Sequence, residues 1–581
     1  MTTTLKADSP DRSDGTSRVR RRGRGRMKLS GPLAFVLLSF LVLYPLAMVL
    51  VASFINGTPL PGTGTDLTPR LGNFAGLWST ATARALTNSL IAGVSGTILA
   101  VAVGGIIAWL TARTDVPFRG LVSVAGIIPL FIPSLVGATA WSFLSAPQTG
   151  YLSLAMQSLG INWQFNIYSL KGLVFVFALY NVPYAFIFIN NTLNLVNSEL
   201  EEAAAVHGAS KLQTVIRTTI PLAKPAILNA GLLTFVLILQ DFPVSMVLGY
   251  SAGIQTLSSR VYILMFQAPP AVNAASALGV VLMIFTLLIV TLQYRLLRRQ
   301  SFATVTGKGL RISPLELGPF RWVGFAFVMI YMFVAVVLPI GALIIGALRT
   351  SLYTPSFGSL FDTASMSFNA LKSNLTEPTA FAAAANTIIV GIITAVLGTT
   401  LCFFLAHYAH RSSSRMGRLI GQLTILPAAV PGVVLGLGML WAYTAIPILL
   451  YGTLGILVLA FVTQFLPQGV GNMSGAIGRI HRDLEESASV SGATKLRVVT
   501  WVTLPLVKSA AASTGLMLFI LAMRELSAAI FLYTPKTQLL SIYLFNLYEN
   551  GRFSAVASIS LAYSGLLLVL VIAGRKWLNN V

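Results

Sequence analysis

Twelve stretches of this sequence are apolar over roughly the twenty residues that a helix needs to cross a hydrocarbon layer about 30 Å thick. They are 31–54, 89–112, 121–145, 172–193, 226–248 and 272–294 in the first half, and 322–347, 387–409, 419–443, 453–471, 509–532 and 554–574 in the second. In hydrocarbon every backbone N–H and C=O must find a partner within the protein, which leaves only helices or a closed barrel. The runs are continuous rather than alternating, so barrel strands are excluded. The expectation is an all-α integral membrane protein with 12 transmembrane helices. Composition agrees: 55% of residues are hydrophobic and 10% charged, with a mean hydropathy of +0.79, more apolar surface than a soluble fold can bury.

The formal charge of +22 would suggest a nucleic-acid partner in a soluble protein. Here the basic residues flank apolar runs, which is the positive-inside pattern of a chain whose partner is the lipid bilayer, not nucleic acid. Arg18, Arg20, Arg21, Arg22, Arg24, Arg26 and Lys28 precede the first run, and Arg295, Arg298, Arg299, Lys308 and Arg311 lie between the halves. Both segments are expected on the cytoplasmic side, and an even number of spans brings Arg575 and Lys576 back there, so both termini are predicted cytoplasmic. The first 28 residues have the composition of a disordered basic tail. The run that follows is too long for the apolar part of a signal peptide and ends in no small-x-small cleavage site, so it reads as an uncleaved anchor. The lone Cys402 lies within an apolar run, which rules out an intrachain disulfide.

The two halves repeat. "NSLIAGVSGTILAVAVGGIIAWL" from Asn88 matches "NTIIVGIITAVLGTTLCFFLAHY" from Asn386, and Pro129 and Pro133 of the third span match Pro427 and Pro431 of the ninth, all 298 residues apart. Later pairs lie 284 apart, so the second half has lost fourteen residues, in the outer segment before its fourth span. Six spans per unit insert both copies in one orientation, so the halves are parallel repeats related by an axis along the membrane normal. Spans one and seven match weakly; the repeated unit is the last five spans of each half.

Between the fourth and fifth spans of each half stands one pattern: "EEAAAVHGASKLQTVIRTTIPLAKPA" from Glu201 and "EESASVSGATKLRVVTWVTLPLVKSA" from Glu485. In each, an acid (Glu202, Glu486) precedes a glycine (Gly208, Gly492) by six positions, and the glycine precedes a proline (Pro221, Pro505) by thirteen. Glu, Ala203 and Ala204 favour helix, and small side chains let another surface approach closely. The glycine can end the helix and reverse the chain, and the proline marks the start of the next span. The expected product is a short helix, a sharp bend and a second short helix. Ser487 replaces the first alanine in the second copy, where Ala488 follows it. One E-A-A triplet is common in helix-rich proteins; two with the same internal spacing at matching places in a repeat are not.

With these loops the chain resembles the permease of a bacterial binding-protein-dependent ABC importer with two halves fused, a type I ABC importer permease-like arrangement. The resemblance covers nearly all of the chain after residue 85 and implies a division into a basic cytoplasmic tail (1–30), a first helix and outer loop (31–84), a first permease core domain (85–295), a cytoplasmic linker (296–320), a seventh helix and outer loop (321–382) and a second core domain (383–575). It also implies that residues Glu202 to Gly208 and Glu486 to Gly492 dock into clefts of two cytoplasmic ATP-binding subunits. An extracytoplasmic solute-binding protein would deliver the solute, and the chain would sit in the bacterial inner membrane. One chain supplies both halves, so no permease homodimer is required. ATP and Mg²⁺ would belong to the partner ATPase, with no cofactor in this chain: "TGKGL" around Lys308 lacks the upstream glycine and the following Ser or Thr of a phosphate loop. No Ser/His/Asp constellation appears, so the chain is read as a transport subunit and not an enzyme. His207, His407, His410 and His481 offer no metal-ligand spacing.

Within that family the segments after Asp241 and Glu525 look most like ferric-iron permeases, with 2-aminoethylphosphonate and thiamine permeases as alternatives. A major-facilitator-type secondary transporter also has two parallel six-span halves, and the basic loops from Thr111 and Ala409 are superficially similar to one of its loops, but it leaves the paired E-A-A loops unexplained. Asp241 and Glu525 themselves stand 284 residues apart in spans five and eleven. Carboxylates within a bilayer are costly and usually face protein or a water-filled path, so the pair is a candidate pathway or gate feature. The alternative is structural pairing, with Arg524 beside Glu525 and Gln240 beside Asp241.

Overall fold

The computed structural model describes the chain except residues 1–26, 60–67, 163, 196–198, 299–313, 351–355, 413, 447–448 and 581. The basic residues Arg18 to Arg26, and Arg299, Lys308 and Arg311 of the linker, lie outside the described residues. Among the described residues every regular element is a helix, joined by two isolated β-bridges. Nine helices are long and apolar enough to cross a membrane, or twelve when each of three bent pairs is taken as one span.

The twelve expected runs coincide with these spans, with two corrections. Spans three and nine are broken: Arg119–Phe131 meets Ser134–Ser145 at 95°, and Arg415–Ala429 meets Gly432–Thr444 at 112°. Pro133 and Pro431 cause the break, since proline lacks the N–H that would continue the helix and forces the residue before it out of the helical region; Ile132 and Val430 are accordingly extended. Spans five and eleven stop short of their expected ends at 248 and 532. Their helices end at Gln240 and Arg524, and Asp241 and Glu525 occupy the first non-helical position. The chain then continues through short helical turns, Ser245–Gly249 and Tyr250–Ala252 in the first half and Ala529–Phe531 in the second, before the short helices Leu257–Phe266 and Leu540–Glu549.

The repeat is visible in the packing. Spans two and eight are the helices Thr80–Arg113 and Pro378–Arg411, each 34 residues long. Span two meets span four (Leu170–Leu195) where Gly104 lies against Ala185: a Cβ on Gly104 would come within 2.9 Å of the Ala185 methyl, the Phe186 nitrogen and the Val182 oxygen. The second half inverts this pair. Cys402 takes the place of Gly104, and Gly469 of span ten (Leu454–Ile477) takes the place of Ala185; a Cβ on Gly469 would stand 2.4 Å from the Cys402 sulfur. The buried lone cysteine is thus a small apolar filler in a helix crossing.

Spans one and seven each lie against the other half's core. On span one (Gly31–Phe54), Phe40 O accepts a 2.9 Å hydrogen bond from the Tyr443 hydroxyl of span nine, and a Cβ on Gly438 would meet Pro45 O at 2.6 Å. On span seven (Phe320–Leu348), the Tyr331 hydroxyl donates to Leu179 O of span four at 3.2 Å, and Gly346 faces Phe143 of span three. Each also packs on the last span of its own half, Asn273 of span six donating to Ala52 O at 2.9 Å and Gly346 facing Ala557 of span twelve, so that spans one and seven join the two cores into one body.

Candidate functional site

Each E-A-A segment forms the expected first helix, Glu199–Val206 and Arg482–Val490. Both end in the same way. The N–H of Ala209 donates to Ala204 O and that of Ala493 to Ala488 O, each at 3.0 Å, with Gly208 and Gly492 between them at φ +81° and +89°. This is the Schellman ending, and it needs a left-handed residue at the glycine position. A Cβ on either glycine would meet nothing within 4 Å, so backbone conformation and not space is what calls for glycine. Ser210 and Thr494 then cap the next helical segment. The second short helix is a correction: Lys211–Gln240 runs as one helix through Pro221 into span five, whereas in the second half Lys495–Leu506, with Pro505, meets Lys508–Arg524 at a 76° bend.

The acid that fixes each loop to the core is the first glutamate of the pair, not the second. Glu201 accepts from the Thr219 hydroxyl at 2.6 Å and pairs with buried Arg113 at 3.7 Å. Glu485 accepts from Thr503 at 2.9 Å and pairs with Arg411 at 2.8 Å. Arg113 and Arg411 are the last residues of spans two and eight, so each loop is clamped to the end of an equivalent span. Arginine at a helix C-terminus also meets the negative end of the helix dipole. The signal was available in the sequence, since Arg113/Arg411 repeat at 298 and Glu201/Glu485 and Thr219/Thr503 at 284. The second clamp adds His407, its Nε2 3.7 Å from Glu485, where the first half has Trp109. Glu202, Ala203, Glu486 and Ser487 face outward, together with an apolar rim: Val206 and Val490 are 85% and 89% exposed, and Leu212 and Leu496 68% each.

The two core carboxylates sit at matching breaks. Asp241 Oδ1 accepts from Val244 N and Glu525 Oε1 from Ala528 N, both at 3.0 Å. Their carbonyls accept from Ser258 at 2.7 Å and Ser541 at 2.8 Å. Ser89 of span two and Thr387 of span eight accept from the N–H of Leu257 and Leu540, at 2.8 and 2.7 Å, where the short helices restart. The backbone groups freed at these breaks are thus satisfied by side chains. Each acid also lies beside the start of the second half-helix of the broken span in its own half: Asp241 is hydrogen-bonded to the Ser134 side chain of span three, and Glu525 Oε1 would stand 3.2 Å from a Cβ on Gly432 of span nine. Gln240 does not pair with Asp241; its amide reaches Ala428 O of the other half at 3.4 Å. As whole residues Asp241 and Glu525 are half-buried, while their carboxyl groups lie within protein. Beside them the seam between halves is filled by rings: Phe242 to Phe545 at 5.9 Å, Tyr262 to Phe531 at 6.2 Å and Phe266 stacked on Phe531 at 5.9 Å. Among the described residues no group of three or more His, Cys, Asp or Glu side chains converges.

Residues 96–302 and 398–578 match the family described as "Binding-protein-dependent transport system inner membrane component", once per half. The chain belongs to this family. It is thereby a multi-pass membrane permease, a transport subunit. The ferric transport system permease protein FbpB of Actinobacillus pleuropneumoniae is 26% identical over 93% of this chain and 76% of its own length. A Haemophilus influenzae protein named as a ferric transport system permease is 27% identical over 87% of this chain and 78% of its own. A Salmonella choleraesuis protein named for 2-aminoethylphosphonate transport is 30% identical over 28% of this chain and 62% of its own.

Proposed function

We propose that this permease carries ferric iron into a bacterial cell across the inner membrane, with both termini cytoplasmic. An extracytoplasmic binding protein delivers the iron and two ATP-binding subunits drive the import, one on each coupling loop. The observation that carries the iron reading is the extent of likeness: the two relatives named for ferric transport align along both halves, over 93% and 87% of the chain. The 2-aminoethylphosphonate relative aligns along 28%.

The coupling reading rests on shape and chemistry. The two outward-facing loops present the same small, apolar-rimmed knob at matching places, and each is anchored by a Glu–Arg–Thr clamp to the end of a long span. A partner that grips both knobs and draws them together moves spans two and eight directly. ATP and Mg²⁺ act in that partner. Asp241 and Glu525 lie beside a set of rings that must part for a solute to pass between the halves, and as half-buried acids near that seam they offer a cationic solute a waypoint.

The test is uptake of radiolabelled iron by iron-limited cells with and without the gene. A deletion that lowers iron uptake supports the reading. Unchanged iron uptake together with lost growth on 2-aminoethylphosphonate as phosphorus source would assign the permease to the phosphonate instead.

A further inference from the structure

The described end of the linker between the halves is built into the first coupling clamp. Leu315 forms a parallel bridge with Thr114, just after span two: its N–H donates to Arg113 O at 2.8 Å, and its carbonyl accepts from Asp115 N at 3.2 Å. Asp115 Oδ1 then accepts from Leu317 N at 2.7 Å. Lys211, in the loop itself, donates to Glu316 O. The residue whose carbonyl is gripped, Arg113, is the one that pairs with Glu201. Span seven begins three residues after Leu317 and packs on the same turn: a Cβ on Gly324 would reach Leu110 at 2.7 Å, and Phe325 lies 5.6 Å from Phe118. Phe118 holds a φ of +52°, a conformation unfavourable for an L-residue that the surrounding contacts must sustain. The second half has the counterpart of the Gly324 contact, a Cβ on Gly31 of span one standing 2.9 Å from the Tyr408 ring of span eight, while the hydrogen bonds described for its loop stay within the half, Arg411 donating to Ile480 O at 3.2 Å and Arg482 to His410 O at 3.1 Å.

We propose that residues 315–317 are a strap that makes the fusion linker part of the coupling machinery, with Asp115 as its positioning residue. The strap ties the first loop and the end of span two to the start of span seven. Because span seven lies on the first core but leads into the second half, displacement of the first loop reaches the second half through the strap. This rests on the coupling role given to the loops above, not on the identity of the solute.

Hydrogen exchange on the purified full chain tests the strap without partner or solute. Asp115→Ala removes the acceptor for Leu317 N–H, whereas Asp115→Asn keeps an oxygen there. Exchange in residues 199–214 is expected to rise about five- to tenfold in the alanine variant, the effect of losing roughly one hydrogen bond. It should stay at the wild-type rate in Asp115→Asn, and residues 482–498 should not respond in either. Leu315→Pro, which removes the donor to Arg113 O, should repeat the alanine result if Asp115→Ala does not yield folded protein. In vesicles with the partner ATPase and loaded binding protein, the alanine variant should hydrolyse more ATP per iron moved, and the asparagine variant should not. A chain cut at a protease site inserted after Thr304 keeps 315–317 attached to span seven and should stay coupled. Equal exchange changes in both loops, no change in either, an asparagine variant that behaves as alanine, or uncoupling by the cut would each overturn the strap. Absence of iron uptake with wild-type exchange behaviour would count against the solute reading alone.

Discussion

Cys402 lies against Gly469 in the place where, one repeat earlier, Gly104 lies against Ala185. The crossing of spans two and four is thus kept in spans eight and ten with the large and small positions exchanged.

That exchange makes a compensation test. Gly469→Ala alone should destabilise the chain by about 1–3 kcal/mol, as overpacking of a tight contact does. Adding Cys402→Gly recreates the first half's Gly/Ala pair and should recover most of the loss. Thermal unfolding of the purified chain reads both; a double variant no better than the single would remove this account of the cysteine.

At Gly208 and Gly492 the structure separates conformation from bulk. Alanine should cost about 1 kcal/mol through the left-handed backbone alone, and asparagine, which tolerates that region, should cost less. Leucine adds side-chain volume on an exposed knob and should uncouple ATP hydrolysis from transport beyond the alanine effect while leaving insertion intact. Wild-type uptake in both leucine variants would argue against docking at these loops.

The clamp predicts which glutamate of each pair matters for folding. Glu485→Ala leaves Arg411 unpaired and should cost about 3 kcal/mol, as breaking a largely buried ion pair does. Glu486→Ala, at an exposed position, should leave stability near wild type and act only on partner binding. Chemical denaturation of the two variants, with pull-down of the ATPase, distinguishes the roles; equal losses of stability would count against the clamp.

Asp241→Asn and Glu525→Gln each retain an oxygen for the backbone N–H of Val244 or Ala528 while losing charge. Folded yield and ATPase binding should therefore survive, and uptake of a cationic solute should fall several-fold. Loss of folded protein in both single variants would make these carboxylates structural.

The set of rings should resist opening. Phe266→Cys with Phe531→Cys, in a chain with Cys402 replaced by serine, should cross-link on oxidation and stop uptake, with recovery on reduction. Continued uptake by the cross-linked chain would place the path elsewhere.

Local pattern alone determined the helical class, the twelve spans, the parallel repeat and the two E-A-A loops. Hydrocarbon permits few ways to satisfy a backbone, and a duplicated spacing survives as text. The proline pairs of spans three and nine were legible as well, but not the size of the bends, because a proline forbids a hydrogen bond without saying where the freed chain will go. The early end of spans five and eleven was hidden in apolar sequence that continues past Asp241 and Glu525; the helix stops there because serines and threonines of neighbouring segments take over its backbone. Which glutamate of each loop is anchored depends on Arg113 and Arg411, far away in sequence and brought near only by the packing of spans two and eight. The same holds for the exchanged first and seventh spans and for the linker strap. Each is a contact between segments whose own periodicity says nothing of the partner, so only the assembled cores could select it.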